Sequence, residues 1–498
     1  MRPKIIVWND RSLIHFVLSK YIQQNYDCDL YSIYDVTEGP KKYFQKQKFV
    51  EFKKSWFFHE YIFKTKRQPD LEYLKNIEKK YDIPLWLIAS NDRFFYKFNK
   101  FYKFSYDEIL QILEDEIKLF EEILDEVKPN IVLMQMSNLQ HNHIFYKICL
   151  AKNIKVLSPH GARIDIDPTK STNASKMYLG DEANLCLPLP NENDIIKNGN
   201  EDFPLEENNE KFSFQLENSK TSYFKAAINF LINKNDNMDT HYTYFGRNKI
   251  KVIFEMISYE LTKKYRYSFM EKNLQHEIDE SNFVYFPLHQ EMERVLLIGA
   301  PFYTNQVEIV KNIANSLPLG YKLFVKDHPT MNARGWRSVS DMKKMMELHN
   351  VVLLHPLVNS NEIIKKCNLV ISITGTASIQ AATFGKPSIS LEKIGLYKIS
   401  TVNIINSIKE LPMTIRKALE QKVDEKEIQI FKKAIESKAF EFRFSDMSNV
   451  FNNFLTTGGY NANTEINDEK VLEISGKFNE EMDYASKQYI KKIKEEIV

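Results

Sequence analysis

Cysteine and glycine are scarce in this sequence, and neither sign of charge is in excess. The chain has 498 residues, of which only 14 are Gly and 4 are Cys. So little glycine excludes a collagen-like chain, and so few cysteines exclude a disulfide scaffold. Cys28, Cys149, Cys186 and Cys367 are too far apart for a CxxC metal motif. We therefore expect reduced, buried thiols in a cytoplasmic protein.

The charge balance and the length of apolar runs exclude further classes. Lys and Arg number 68 against 66 Asp and Glu, a formal charge of +2, so no basic excess indicates a nucleic-acid partner. No stretch reaches the roughly 18 apolar residues that span a bilayer, and the N-terminus lacks the apolar core of a signal peptide. The length suggests about two to four globular domains.

Strands and helices are predicted to alternate in two separate stretches. In the first, residues 4–8 (KIIVW) and 130–134 (NIVLM) read as buried strands, and a helix over 141–152 leads to a short strand at 155–157. In the second, strands and helices alternate from about residue 283 to 391. This pattern predicts two Rossmann-like, doubly wound α/β domains that face a cleft, with a helical linker and C-terminal helices.

The predicted boundaries follow changes in this pattern. We expect an N-terminal domain over 1–190, a linker and helical insertion over 191–282, a second domain over 283–415 and a C-terminal helical region over 416–498. Residues 188–217 are rich in Asn, Glu and Pro, which is typical of a linker or loop. The helices predicted over 218–275 carry Lys and Tyr, so a peripheral membrane or acceptor-binding surface remains open beside a solvated helical connection.

The sequence KDHP follows a predicted strand of the second domain. Pro329 ends the strand, which leaves Lys326 and His328 at its carboxyl end. A histidine beside a lysine there can bind a phosphate or protonate a phosphate leaving group. The alternative is a purely structural turn.

About 45 residues later, a Thr/Ser-rich loop follows another predicted strand. Thr374, Gly375, Thr376 and Ser378 offer hydroxyls and backbone N–H groups where a helix begins, and such a helix start attracts anions. The intervening strands and helices allow this loop and KDHP to lie at one edge of one sheet. An ordinary N-cap at Ser378 is the alternative.

Other polar groups follow strands near the expected cleft. Asn9 ends the first strand, and His289 and Glu293 follow the strand near 283–287. In the first domain His160 comes after the strand at 155–157, with Asp165 and Asp167 close behind. A structural turn or a charged interdomain loop is the alternative in each case. No Walker A, HExxH, GxSxG or GxGxxG motif occurs, and DID at 165–167 is only a weak match to a metal-binding DxD.

An ordered series of motifs in residues 283–397 resembles the bacterial capsule polysaccharide biosynthesis family. The series is VYFPLHQEME, then NQ at 305–306, LFVKDHP, GWR at 335–337, VISITGTAS, FGKPSI at 384–389 and a closing GLY at 395–397. That family looks like the two-domain GT-B glycosyltransferases, and its characterised members use CMP-activated Kdo. The first 280 residues resemble it only loosely, through the HG turn at 160–161.

The resemblance implies a metal-independent, Kdo-transferase-like enzyme that moves a sugar from a nucleotide donor, with CMP-Kdo favoured, to a glycan or lipid-linked glycan. The first domain would bind the acceptor and the second the donor. The donor phosphate would contact His328 and residues 374–378, with Lys326 and Arg337 adding positive charge. His328, His160 and Glu293 are the catalytic candidates, and His289 and Asn9 would help bind substrate.

Two departures from the family pattern bear on the donor. Gln380 stands where many relatives carry Glu, at a position suited to a donor ribose or sugar, and Met292 replaces a Pro before Glu293. A nucleotide-sugar epimerase, a glycerol-phosphate-type polymerase and a non-catalytic scaffold of a glycan assembly complex therefore stay as alternatives. The enzyme would work in the cytoplasm, with peripheral association at the inner face of the plasma membrane left open.

Overall fold

The protein forms two separate β-sheets, each covered by helices on both faces. The computed structural model describes residues 2–10, 12–36, 38–96, 98–161, 176–180, 241–278, 282–374, 376–392, 399–455 and 467–497. Asp165, Asp167, Cys186 and Gly375 lie outside the described residues. Cys28, Cys149 and Cys367 are buried, as expected. No helix in the described ranges combines the length and apolar character that a membrane crossing requires.

Thirteen strands and seventeen helices are numbered here in chain order over the described residues. The strands are β1 (Lys4–Asn9), β2 (Asp29–Tyr34), β3 (Ser55–Phe57), β4 (Ile131–Leu133), β5 (Lys155–Gly161), β6 (Lys176–Gly180), β7 (Phe283–Pro287), β8 (Lys322–Lys326), β9 (Val351–Leu354), β10 (Leu369–Ser372), β11 (Ser388–Ser390), β12 (Val402–Ile404) and β13 (Phe440–Glu441).

The helices are α1 (Ile14–Asn25), α2 (Glu38–Phe44), α3 (Leu71–Tyr81), α4 (Leu85–Ser90), α5 (Tyr106–Val127), α6 (Gln140–Ala151), α7 (Lys249–Asn273), α8 (Arg294–Leu297), α9 (Gln306–Ser316), α10 (Val339–Met346), α11 (Ser360–Lys366), α12 (Thr376–Thr383), α13 (Leu411–Leu419), α14 (Glu425–Glu436), α15 (Phe444–Leu455), α16 (Asp468–Gly476) and α17 (Asn479–Ile497). Short 3-10 turns include Pro329–Arg334.

The first sheet has the spatial order β13-β6-β5-β4-β1-β2-β3. The strands from β3 to β5 are parallel, while β6 pairs antiparallel with both β5 and β13. Ile6 and Trp8 of β1 pack against α5 and α6 on one face, and Ile5 and Val7 pack against α1 and α17 on the other. Burial on both faces explains the continuous apolar run that predicted this strand.

The second sheet is parallel throughout, in the order β12-β11-β10-β7-β8-β9. Successive strands β7, β8 and β9 lie to one side, and β10, β11 and β12 return on the other side of β7. Successive strands are therefore added on opposite sides of β7 before and after β10 begins, and the same switch occurs at β1 and β4 in the first sheet. Loops at the carboxyl ends of such neighbouring strands form a crevice in which doubly wound folds bind ligands.

The fold class is as predicted, but several element boundaries differ from the expectation. The strand predicted to end at 157 continues to Gly161, because residues 158–161 pair with β6. Helix α12 begins at Thr376, so Ser378 lies inside the helix and is not its cap. Helix α9 is capped by Asn305, whose side chain accepts from Glu308 N.

The C-terminal helices return to the first sheet. Helix α17 packs along α1 through Met482, Tyr489 and Ile493, which are fully buried. Phe440 of β13 pairs with Met177 of β6, so this segment also extends the first sheet by one strand. Residues near both ends of the chain therefore share one hydrophobic core.

Candidate active site

Two loops meet at the switch point of the second sheet. His289 lies two residues beyond β7, and its Nε2 is 3.2 Å from both the carbonyl oxygen and Oγ1 of Thr374, two residues beyond β10. Gln306 fixes the backbone of His289 from the other side, since its Oε1 accepts from His289 N at 2.7 Å and its Nε2 donates to His289 O at 3.0 Å. Both expected residues therefore lie at the crevice, and Thr374 is 3% exposed.

His328 follows the neighbouring strand β8 and reaches the protein surface. Its Nδ1 accepts the backbone N–H of Thr330 at 3.3 Å and lies 2.6 Å from Thr330 Oγ1, which Gln290 Nε2 also contacts. Because Nδ1 is an acceptor, the neutral ring carries its proton on Nε2. Partial desolvation, with the charge of Lys326, lowers the pKa of His328. The ring therefore presents a neutral Nε2–H donor at pH 7.

Lys326 is the last residue of β8 and is only 3% exposed. Its Nζ donates to Val358 O at 2.9 Å and to Pro356 O at 3.4 Å. Burial lowers the pKa of Lys326 to about 8, although Asp327 favours the charged form. An ammonium group has three N–H donors, and an approaching anion would restore its charge fully.

Arg337 takes a different place from the one expected. Its guanidinium is buried and donates to Asp327 Oδ2 at 3.2 Å, Glu291 Oε1 at 3.1 Å and His289 O at 3.2 Å. Although burial opposes its charge, Asp327 and Glu291 raise the pKa of Arg337. The guanidinium thus clasps the β7 and β8 loops together, so Arg337 positions the site through its acidic partners.

The residues that open α12 are divided between the site and the core. Ser378 is fully buried and its Oγ lies 2.7 Å from Ser372 Oγ, which locks the helix to the end of β10. Gln380 Nε2 donates to Asn361 Oδ1 of α11 at 2.5 Å. The backbone of Thr376 begins α12 beside the crevice. Ser378 is therefore a packing residue of α12.

The carboxyl edges of the two sheets face each other. Glu293 directly precedes the short helix α8, and the next residue, Arg294, donates from Nε to the carbonyl of Ser137 at 2.6 Å. Ser137 follows β4 at the first switch point, so this contact joins the two crevices directly. A pocket of about 160 Å³ beside it is lined by both units, including Arg93 and Lys147 from the first and Leu297 from the second.

The first switch point carries its own polar group. Asn9 is 1% exposed and donates from Nδ2 to Ser32 Oγ at 2.8 Å, so it holds β1 to β2. The carboxylate of Asp10 accepts from Ser12 Oγ at 2.6 Å and from Gln135 Nε2 at 3.2 Å. Burial raises the pKa of Asp10 despite these hydrogen bonds, which suits a group that exchanges a proton.

Behind this edge lies a buried histidine–carboxylate cluster that the sequence did not reveal. Asp35 accepts from His59 Nε2 at 3.0 Å and from His141 Nε2 at 2.9 Å. Although burial opposes ionisation, the two histidines hold the pKa of Asp35 well below its usual range. Burial raises the pKa of nearby Glu116 to about 8, and Tyr242 OH donates to it at 3.0 Å.

His160 lies within β5 and not after it. Its ring stacks on Tyr178 of β6 at a centroid distance of 5.3 Å, and its Nε2 is 3.3 Å from Gly180 O. Tyr178 packs in turn with Ile379 and Ala382 of α12. His160 therefore sits beside the contact between the two units, separated along the sheet from Asp10.

Two groups at this site, Gln290 and Thr330, were not singled out from the sequence. Gln290 and Thr330 set the orientation and tautomer of His328, and the signal for the second is a Thr two residues after a capping His–Pro. Asp10 directly follows a buried strand, which is the position where doubly wound sheets place ligand contacts. Each of these residues stands in a sequence context that is typical of a ligand site, but the context identifies the site only once the loops are known to lie together.

The second edge presents donors more than acceptors to an incoming group. The Lys326 ammonium and His328 Nε2–H lie at the end of β8, and the start of α12 follows β10, with β7 between these two strands in the sheet. Such a set suits an anion and can offset charge that develops on a phosphate oxygen. Among the described residues, the one group of three His, Cys, Asp or Glu side chains suited to a metal lies elsewhere.

Comparison with known proteins finds no matching family model and no matching curated protein. Solved structures of similar shape include Thermosulfurimonas dismutans KpsC, a beta Kdo 2,7 transferase, at 12% identity over 64% of this chain and 80% of that one, with a TM-score of 0.32. The structure of S. aureus MnaA with UDP matches 94% of this chain and 100% of its own, at 12% identity and a TM-score of 0.28. The UDP-GlcNAc 2-epimerase of Methanocaldococcus jannaschii matches 85% of this chain and 94% of its own, at 12% identity and a TM-score of 0.25. These TM-scores are low, and the strand order of this chain defines its fold.

Proposed function

We propose that this protein is a glycosyltransferase that binds a nucleotide-sugar donor at the carboxyl edge of its second sheet. The observation that carries the proposal is the closure of the β7–β10 switch point by His289 and Thr374, with His328 and Lys326 on the adjacent strand. A crevice at this place in a doubly wound sheet binds ligands, and its donors favour a phosphate.

In the proposed reaction, an acceptor hydroxyl attacks the anomeric carbon and the nucleotide phosphate leaves. Negative charge grows on the departing phosphate oxygen, so a donor placed there binds the transition state more strongly than the substrate. His328 Nε2–H fills this role, and Lys326 adds a positive charge from the buried side. These two groups supply the stabilisation without a metal ion at this edge.

The acceptor would bind at the first sheet, because its carboxyl edge faces the donor edge through the Arg294–Ser137 contact. Two groups there can take the acceptor proton. Asp10 lies at the switch point with a raised pKa, and His160 lies beside the contact of β6 with α12. Asp10→Asn and His160→Asn separate these roles, since the base is the one whose loss lowers turnover without changing donor affinity.

The narrower form of the proposal concerns the donor and the product. It gives the enzyme a cytidine donor such as CMP-Kdo, a glycan or lipid-linked acceptor, and a role in surface polysaccharide synthesis. All three assignments rest on the motif series of residues 283–397. Work at the cytoplasmic face of the plasma membrane belongs to the same narrower proposal.

The experiment is a binding and turnover comparison on the full chain. Calorimetry with CMP, CDP, UDP and GDP should reveal one preferred nucleotide, and Lys326→Met should weaken its binding. Incubation of the matching nucleotide sugar with candidate acceptors should release nucleotide only when an acceptor is present. If the sugar is interconverted without an acceptor, the protein is an epimerase and not a transferase. The absence of any nucleotide binding would refute the proposal.

A further inference from the structure

We propose that Glu271, His276 and His355 form a site for a divalent transition-metal ion, with Zn²⁺ as the best-fitting ion. Their ligand atoms all lie within 4.8 Å of one another. The site lies where the end of α7 meets the carboxyl end of β9, at the outer edge of the second sheet. It is separate from the proposed donor crevice and does not depend on the proposed function.

The distances within the group are close to those of a coordination sphere. Glu271 Oε1 is 3.4 Å from His355 Nε2, and Glu271 Oε2 is 3.8 Å from His276 Nε2. Zinc bonds of about 2.0–2.1 Å in a tetrahedral arrangement place ligand atoms roughly 3.3 Å apart. Small rotations of the exposed Glu271 and His276 side chains would close the remaining gaps.

His355 supplies the observation that points to a ligand. The residue is 1% exposed, and its buried Nε2 makes no hydrogen bond within the described structure. The rings of His355 and His276 stack at a centroid distance of 4.4 Å, which leaves two imidazoles side by side next to a carboxylate. A buried polar atom without a hydrogen bond is costly, so its position calls for an explanation.

The donor set selects the type of ion. Two imidazole nitrogens and one carboxylate suit zinc and related ions, whereas magnesium and calcium prefer oxygen ligands. Coordination through His355 Nε2 would leave the ring proton on Nδ1, which now accepts from Leu357 N at 3.4 Å. That contact is long, so its loss costs little beside a zinc–nitrogen bond. Three protein ligands leave a further position for water.

The backbone around the group is already held in place. Gln275 N donates to Leu353 O at 2.9 Å, and His355 N donates to Gln275 O at 2.9 Å, so α7 ends in a bridge to β9. An ion here would fasten α7 to the sheet. It would also steady the loop whose carbonyls, at Pro356 and Val358, hold Lys326.

The test uses zinc itself as the probe on the full, reduced chain after treatment with a chelator. Calorimetry should give one zinc per chain, and zinc should raise the melting temperature whereas magnesium should not. His276→Ala, at a half-exposed position that tolerates truncation, should weaken zinc binding at least about tenfold, as even outer partners of a metal ligand contribute that much. Glu271→Gln should weaken it as well.

His349→Ala is the matched control, because His349 is an exposed histidine six residues from His355 and outside the group. It should bind zinc as the wild type does. The proposal is overturned if zinc fails to bind or to stabilise the wild type, if His276→Ala binds zinc as tightly as the wild type, or if His349→Ala loses as much affinity as His276→Ala. None of these outcomes bears on nucleotide binding, so this site and the proposed function fail separately.

Discussion

Replacing Arg337 by methionine should destabilise the second unit strongly. The guanidinium is 2% exposed and contacts Asp327 at 3.2 and 3.3 Å and Glu291 at 3.1 Å. Methionine fills similar space but leaves Asp327, itself 8% exposed, as a buried carboxylate without its cation. Breaking a buried ion pair in this way costs about 3–5 kcal/mol, which we expect as the fall in the free energy of unfolding.

Urea unfolding followed by tryptophan fluorescence measures this change, and Trp336 is the tryptophan that reports on the second unit. Trp336 is buried beside Arg337, and the other tryptophans, Trp8, Trp56 and Trp86, belong to the first unit. Arg334→Met is the matched control, because Arg334 is an exposed arginine of the same segment and its loss should cost less than about 1 kcal/mol.

A double substitution tests the stated cause. Adding Asp327→Asn to Arg337→Met removes the buried charge that the single variant leaves behind, so part of the lost stability should return. A loss below about 1 kcal/mol in Arg337→Met, or an equal loss in Arg334→Met, would refute the clasp. Arg337 would then be open to the direct substrate contact that the motif resemblance implied.

Three further predictions concern single groups. His328→Ala should lower turnover about 100-fold or more with little change in melting temperature, whereas near-normal turnover would reduce His328 to a turn residue. Nucleotide affinity should fall as the pH rises through about 8, because Lys326 then loses its proton, and calorimetry on Lys326→Met should show weaker binding with a flatter profile between pH 7 and 9. The raised pKa of Glu116 means that the folded state holds this proton up to about pH 8 while the unfolded state releases it near 4.5. This contribution to stability is therefore full below pH 4.5 and lost by about pH 8. The free energy of unfolding of Glu116→Gln should fall less between these pH values than that of the wild type, and an unchanged slope would contradict the assignment.

The sequence predicted most of the second unit because its strands are buried on both faces. Residues such as Val284, Phe324 and Ile371 belong to short apolar runs, and loops rich in polar residues separate them. Strand β2 (DLYSIY) alternates polar and apolar residues and β3 has only three residues, so neither produced a clear signal. The number and order of strands in the first sheet therefore required the structure.

The candidate site was predictable as a set of loops but not as a set of contacts. KDHP and the loop at 374–378 stand at strand ends, which physical rules associate with ligands. The partners of Arg337 come from two separate loops, and the cluster of Asp35, His141 and Glu116 joins a strand end to two helices. Such convergence leaves no local pattern, so the sequence could name Arg337 as a candidate but could not identify the side chains that surround it.

Hydrogen–deuterium exchange on the full chain, with and without its preferred nucleotide, tests the central claim most directly. Bound nucleotide should slow exchange in peptides covering 288–293, 327–337 and 373–380, which contain the loops after β7, β8 and β10. Peptides covering 9–13 and 134–138, at the first switch point, should change little until an acceptor is added. Protection of the first switch point by nucleotide alone, with the second edge unaffected, would contradict the account and place the donor in the other unit.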